Sequence, residues 1–147
     1  MIIRIEQRPE QKDTEILITY PVMTNTVERL ISLVNSADMQ IECYTATSVK
    51  LVNVSDIFYI ESNKKKTVVY CENEKFANKS RLYQIYEKLS GNGFVQISKY
   101  CIMNINKLQE FRPLANYHLE AVLSNGKFLN ITRKYVADLK QKLQEDE

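Results

Sequence analysis

Three short basic segments are the residues of this 147-residue chain best suited to chemistry. Lys64, Lys65 and Lys66 stand in "SNKKK", Lys99 stands between Ser98 and Tyr100 in "SKY", and Arg133 with Lys134 follows Thr132 in "TRK". Ammonium and guanidinium groups hold phosphates by charge-assisted hydrogen bonds, and arginine's planar fork also fits the edge of a base. A plainer reading competes with this one. A lysine run between two strands is what a solvated loop looks like, and Arg133 can be an exposed arginine at a helix start. A cation there opposes the helix dipole, so its presence asks for a reason.

Catalytic and metal chemistry finds little to work with. The single histidine, His118, lies in "NYHLEAV" near the start of a strand, where a solvated or hydrogen-bonded role suits it. The sequence has no GxSxG, no GxxxxGK and no GxGxxG after a strand. Asp56 and Glu61 flank the apolar "IFYI", the pattern of strand ends and not of a carboxylate pair. Cys43, Cys71 and Cys101 each sit in an apolar strand-like run without a CxxC, where a buried thiol acts as a small hydrophobe. We therefore expect neither an enzyme, a cofactor nor a metal site.

The frame that must position the basic segments is one ordinary domain, or a domain of about 100 residues with an appended element. No apolar run approaches the roughly 20 residues of a membrane helix, and "MIIRIEQRPEQK" lacks the order of a signal peptide, so a cytoplasmic location is expected. The net charge of +2 is unevenly placed. Residues 1–38 hold four basic and six acidic side chains, whereas residues 39–147 hold sixteen and twelve. The larger part is the one fitted to a polyanion, though a modest excess of this kind is also common on solvated surfaces.

Residues 1–38 read as strand, strand, helix. "IIRIE" and "TEILITY" are β-prone runs separated by Pro9 and Asp13, and Val27, Leu30, Ile31 and Val34 repeat at helical spacing behind Thr24 or Thr26 as N-cap. This ββα element is too small to stand alone, so it should lean on the rest of the chain or on another subunit. From about Met39 the pattern is mainly β, with "QIECYTA", "SVKLVNV", "DIFYIES" and "KTVVYCEN" as strand-length runs. A helix follows in which Leu82, Ile85, Tyr86 and Leu89 share a face, with Asn78 or Ser80 as cap and Gly91 as stop. "FVQI" resumes the sheet, "HLEAVL" and "KFLNI" flank the hairpin signal Asn125–Gly126, and Val136, Leu139 and Leu143 mark a last helix capped by Thr132.

Lys99 tests this frame. In "FVQISKYCIMNINKL" it would interrupt the face Val95, Ile97, Cys101, Met103, Ile105 if the strand were continuous. A buried, unpaired ammonium costs several kcal/mol, and its neighbours supply no countercharge. The chain is expected to leave the sheet at Ser98 and to present Ser98, Lys99 and Tyr100 outward.

"DIFYIES", "RLYQIYEKL", "FVQISKYCIMNINKL" and "NGKFLNITRKYVADLKQKL", in this order, resemble the LytTR DNA-binding domain of bacterial transcription regulators over roughly residues 41–144. The resemblance implies an elongated α+β fold, mainly β with short helices, that inserts strand-end loops into successive major grooves. Ser98, Lys99 and Tyr100 occupy the place where the family usually carries a His-Arg-Ser-like triplet facing DNA. Arg133 matches the arginine usual near the last strand end, and Lys64–Lys66 fall in a loop where a further contact is common. On this basis Lys99 and Arg133 are expected at base edges, and Lys64, Lys65, Lys66, Ser98, Tyr100 and Lys134 at the backbone or in positioning. The domain would span 39–147, behind an associating or regulatory element at 1–38. Thirty-eight residues are too few for the receiver domain most family members carry, so phosphorylation is not the expected switch. Similarity to stand-alone LytTR regulators further implies double-stranded DNA with repeated half-sites, a homodimer, and a small membrane-protein regulator. The rival reading is a protein-interaction module whose basic edge docks an acidic partner.

Overall fold

A computed structural model describes residues 1–143. Seven strands, β1 (Gln40–Tyr44), β2 (Val49–Asn53), β3 (Tyr59–Asn63), β4 (Lys66–Tyr70), β5 (Lys75–Asn78), β6 (Phe94–Ser98) and β7 (Cys101–Asn104), form one antiparallel sheet in the order β2-β1-β5-β4-β3-β7-β6. Strands β8 (Leu108–Pro113), β9 (Leu119–Leu123) and β10 (Phe128–Ile131) form a second sheet with β9 in the middle. Three α-helices lie among the described residues: α1 (Asn25–Ala37), α2 (Leu82–Leu89) and α3 (Arg133–Leu143). The fold is thus mostly antiparallel β with short helices.

Period-two alternation sorts the apolar side chains of the large sheet into two cores. Tyr59, Val95, Ile97, Cys101 and Met103 face the small sheet and α3, meeting Leu119, Ala121, Leu123, Ile131 and Leu139. Their strand neighbours Ile60, Phe94 and Ile102 turn to the opposite side, where Ile57, Val69 and Phe76 join Ile85 and Leu89 of α2. One buried amide ties β3's approach to β7. Asn104 donates from Nδ2 to the Ile57 carbonyl at 2.8 Å and accepts at Oδ1 from the Asn106 N–H at 3.0 Å, so its burial leaves no polar group unmet. Burial pushes the Cys43 thiol up, that of Cys71 up to about 11 and that of Cys101 up to about 12, which keeps all three protonated at neutral pH.

The strand that raised the Lys99 question ends at Ser98. Ser98 pairs with Cys101 across a two-residue turn, after a bulge between Gln96 and Ser98, and Lys99 and Tyr100 are exposed. The Asn125–Gly126 hairpin also forms: the Leu123 N–H donates to the Lys127 carbonyl at 2.9 Å, and Gly126 supplies the left-handed φ of 86°.

Other expectations need correction. "IIRIE" and "TEILITY" form no hydrogen-bonded ladder. The two segments lie side by side, but their apolar side chains find no core, and a two-stranded hairpin without a covered face is marginal. Helix α2 is capped neither by Asn78 nor by Ser80. Asn78 Oδ1 instead accepts from the Ser80 N–H, and the N-cap residue is Arg81, whose N–H donates to Gln84 Oε1 at 2.8 Å. The left-handed glycine behind α2 is Gly93, not Gly91. A Cβ at Gly93 would come within 2.8 Å of Asn106 Nδ2 and 3.3 Å of Ser32 Oγ, side-chain ends that could shift, so it is the φ of 86° that demands glycine there. Among the described residues no helix is long and apolar enough to cross a membrane.

Candidate nucleic-acid interface

The first basic segment is a two-residue turn. Asn63 pairs with Lys66, leaving Lys64 and Lys65 as the central residues of the β3–β4 hairpin with φ of 49° and 66°. Two positive φ values match the twist of a tight hairpin, yet glycine or asparagine adopts them far more readily than lysine. The turn is therefore strained, and strain of this kind concentrates at functional sites.

Backbone hydrogen bonds bring the other two segments alongside. Because β3 pairs with β7, with Glu61 opposite Cys101, the Lys99–Tyr100 turn lies at the same end of the sheet as the lysine turn. The Ser62 N–H donates to the Tyr100 carbonyl at 2.8 Å, which joins the two directly. On the other flank the Thr132 N–H donates to the Ile97 carbonyl at 2.9 Å, and Thr132 Oγ1 reaches the same oxygen at 3.5 Å. This seats Arg133, the first residue of α3, beside the end of β6. The hydroxyl expected to cap α3 is thus turned toward β6. Ser98 accepts at Oγ from the Tyr100 N–H at 3.4 Å, closing its turn locally.

The side chains at this end are exposed and unneutralised. Lys64, Lys65, Lys66, Lys99, Arg133 and Lys134 all face solvent, and none of them takes part in the three ion pairs found among the described residues. The first turn of α3 has no acidic residue to offset its dipole. Aromatic rings steady several cations instead. Lys99 Nζ lies 5.4 Å from the Tyr100 ring, Lys134 Nζ 5.6 Å from the Tyr135 ring, and the Arg133 guanidinium 5.3 Å from the Tyr117 ring.

Tyr117 escaped the sequence reading. It is 78% exposed, and it follows Asn116 in a loop between β8 and β9 where both residues have positive φ, 61° and 63°. Asn116 was the available signal, since asparagine tolerates this region. His118, next in the chain, is held by Asn130 Oδ1 at 3.3 Å and belongs to the support of this loop.

Residues 47–144 match the family model described as the LytTr DNA-binding domain, about two thirds of the chain. The chain belongs to the LytTR DNA-binding domain family. It is 28% identical over 93 residues, 63% of its own length, to the sensory transduction protein LytT of Enterococcus faecalis, of which it spans only 38%. It is 26% identical over 135 residues to an uncharacterized HTH-type transcriptional regulator of Staphylococcus aureus (strain NCTC 8325 / PS 47), covering 90% of this chain and 91% of that one. A solved LytTr DNA-binding domain from Bacillus cereus superposes with a TM-score of 0.67 at 21% identity, covering 71% of this chain and 95% of that one, a likeness of fold.

Membership in the LytTR family supports DNA binding and transcription regulation, and the family is not an enzyme class. The "HTH-type" in the name of the S. aureus relative has no counterpart among the described residues of this LytTR chain. A helix-turn-helix needs two helices joined by a turn of a few residues, and here strands separate every pair of α-helices among the described residues.

The strained LytTR turn yields a prediction. Lys64→Asn with Lys65→Gly should relieve the left-handed strain and raise stability by about 1 kcal/mol or more, while weakening binding to DNA. Thermal melts and binding isotherms of the double variant check both halves. A lowered melting temperature would contradict the strain.

Proposed function

We propose that the chain is a sequence-specific regulator of transcription that binds duplex DNA through strand-end turns set into the major groove. The observation that carries this reading is the convergence of "SNKKK", "SKY" and "TRK" at one end of a LytTR fold, bridged by the Ser62–Tyr100 and Thr132–Ile97 hydrogen bonds. Phosphate contacts fix register and base contacts read sequence. Arg133 and Lys99 reach base edges, Lys64, Lys65, Lys66 and Lys134 hold phosphates, and Ser98 and Tyr100 set the position of Lys99. Two copies act on repeated half-sites in the cytoplasm. The small membrane-protein regulator remains an implication of similarity to stand-alone LytTR regulators.

Competition binding at several salt concentrations tests this. Each phosphate neutralised contributes about −0.9 to the slope of log K against log salt, so changing Lys64, Lys65 and Lys66 together to alanine should flatten that slope by about two to three and weaken specific and random DNA alike. The unchanged protein should retain a preference for one sequence over random competitor. Binding without any sequence preference would favour a basic edge made for an acidic protein.

A further inference from the structure

The first 20 residues leave most of their apolar side chains outside any core of the domain. Ile2, Arg4, Glu6, Arg8 and Gln11 line a shallow cleft together with Glu15, Leu17 and Thr19 of the neighbouring segment, a side that mixes four charged residues with Ile2 and Leu17. Alternation along an extended chain then directs Ile3, Ile5, Ile16, Ile18 and Tyr20 to the other side. That side has no charged residue. Ile5 is 93% exposed, Ile3 74% and Ile16 62%. Helix α1 behaves differently: Val27, Leu30 and Ile31 of its stripe are half-buried and Ser32 and Ser36 are buried, with Ser32 beside Gly93 of the domain, so only Val34 and the neighbouring Leu33 are left exposed. The two serines can be buried because their hydroxyls donate to the Arg29 and Leu33 carbonyls of their own helix. Contiguous exposed apolar surface of this kind marks an association site.

We infer that the uncharged face of residues 1–20 is covered by the same face of a second copy of this chain. Two such layers stacked face to face make a small sandwich, with isoleucine and tyrosine inside and the charged cleft residues outside. Each copy then satisfies the other under a two-fold axis, as an isologous contact requires. Charge argues against nucleic acid and a lipid surface as occupants. With four basic and six acidic side chains, residues 1–38 repel a polyanion. Surface-bound amphipathic segments carry lysine and arginine on the polar side, whereas here Arg4, Arg8 and Lys12 are outnumbered by Glu6, Glu10, Asp13 and Glu15. The inference deepens the DNA-binding reading by supplying the contact that would hold two copies on two half-sites.

Sedimentation of the full chain without DNA decides it. The unchanged protein should sediment as a dimer at micromolar concentration, and Ile5→Glu with Ile16→Glu should halve the mass while leaving the melting temperature unchanged. Ile3→Ser with Ile5→Ser, a milder pair, should shift the same equilibrium toward monomer if the glutamates prove disruptive. A full chain that is monomeric at every concentration, or glutamate variants that stay dimeric, would overturn the inference. So would a monomer that co-sediments with phosphatidylcholine–phosphatidylglycerol vesicles, which would assign the face to lipid. The DNA reading is judged separately: a dimer that ignores DNA sinks that reading alone, and a sequence-selective monomer sinks this one alone.

Discussion

Arg133→Ala is expected to lose about 1–3 kcal/mol of binding free energy on the preferred DNA site and to relax the choice of base at one position. The guanidinium is exposed at the start of α3, free of any ion pair among the described residues and steadied over the Tyr117 ring at 5.3 Å. Its fork can grip two acceptors of a guanine at once, which a point charge cannot. Arg133→Lys should therefore keep most non-specific affinity and still lose selectivity. Lys99→Ala should fall between this variant and the triple lysine change, without destabilising the fold, because Lys99 lies in an exposed turn. Competition with single-base variants of the site, run beside thermal melts, measures these effects. Wild-type affinity and selectivity in Arg133→Ala, or a Lys99→Ala protein several kcal/mol less stable, would remove these residues from the DNA-facing edge.

Leu89→Ala is expected to cost about 2–5 kcal/mol of stability. Leu89 ends α2 with none of its surface exposed, packed in the core that also holds Ile60, Phe94 and Ile102. The loss combines the transfer of the deleted methyl groups with a cavity that three neighbouring strands cannot close by moving. Because this core lies on the face of the sheet opposite α3, the protein that remains folded should bind DNA normally. Denaturant unfolding followed by binding at low temperature separates the two quantities. An unchanged midpoint would show that α2 does not pack as described.

Legibility in the sequence followed burial. Runs with one clean buried face, such as Leu119, Ala121 and Leu123 in β9 or Ile85 and Leu89 in α2, announce themselves because core and more exposed positions alternate along them. Strand β8 does not: "LQEFRP" is exposed along nearly its whole length, so no alternation betrays it. Strand β5 offers only Phe76 as a buried apolar residue and is equally silent. The opposite error arose at "IIRIE" and "TEILITY", where β-prone composition found no partner strand to complete a ladder. In the candidate site, the basic residues were visible from charge and from position at strand ends. Their convergence depended on the antiparallel pairing of β3 with β7 and on the Thr132–Ile97 bond, both long-range events that local pattern does not encode. The Tyr117 loop was hidden for a related reason, since its left-handed backbone is carried by Asn116 and Tyr117 with no glycine to flag it.

The two backbone bridges, Ser62 to Tyr100 and Thr132 to Ile97, bear on the heat of binding as well as on geometry. Segments that order only on contact with DNA bury surface of their own and give association a large negative heat-capacity change, offset by lost chain entropy. Here the turns are hydrogen-bonded to one another before any ligand arrives, so their ordering is settled when the domain folds. Association by this end of the molecule should then carry a heat-capacity change no larger than the contact area itself demands. Its temperature dependence would be that of a rigid body meeting a groove, and any larger change would have to come from bending of the DNA.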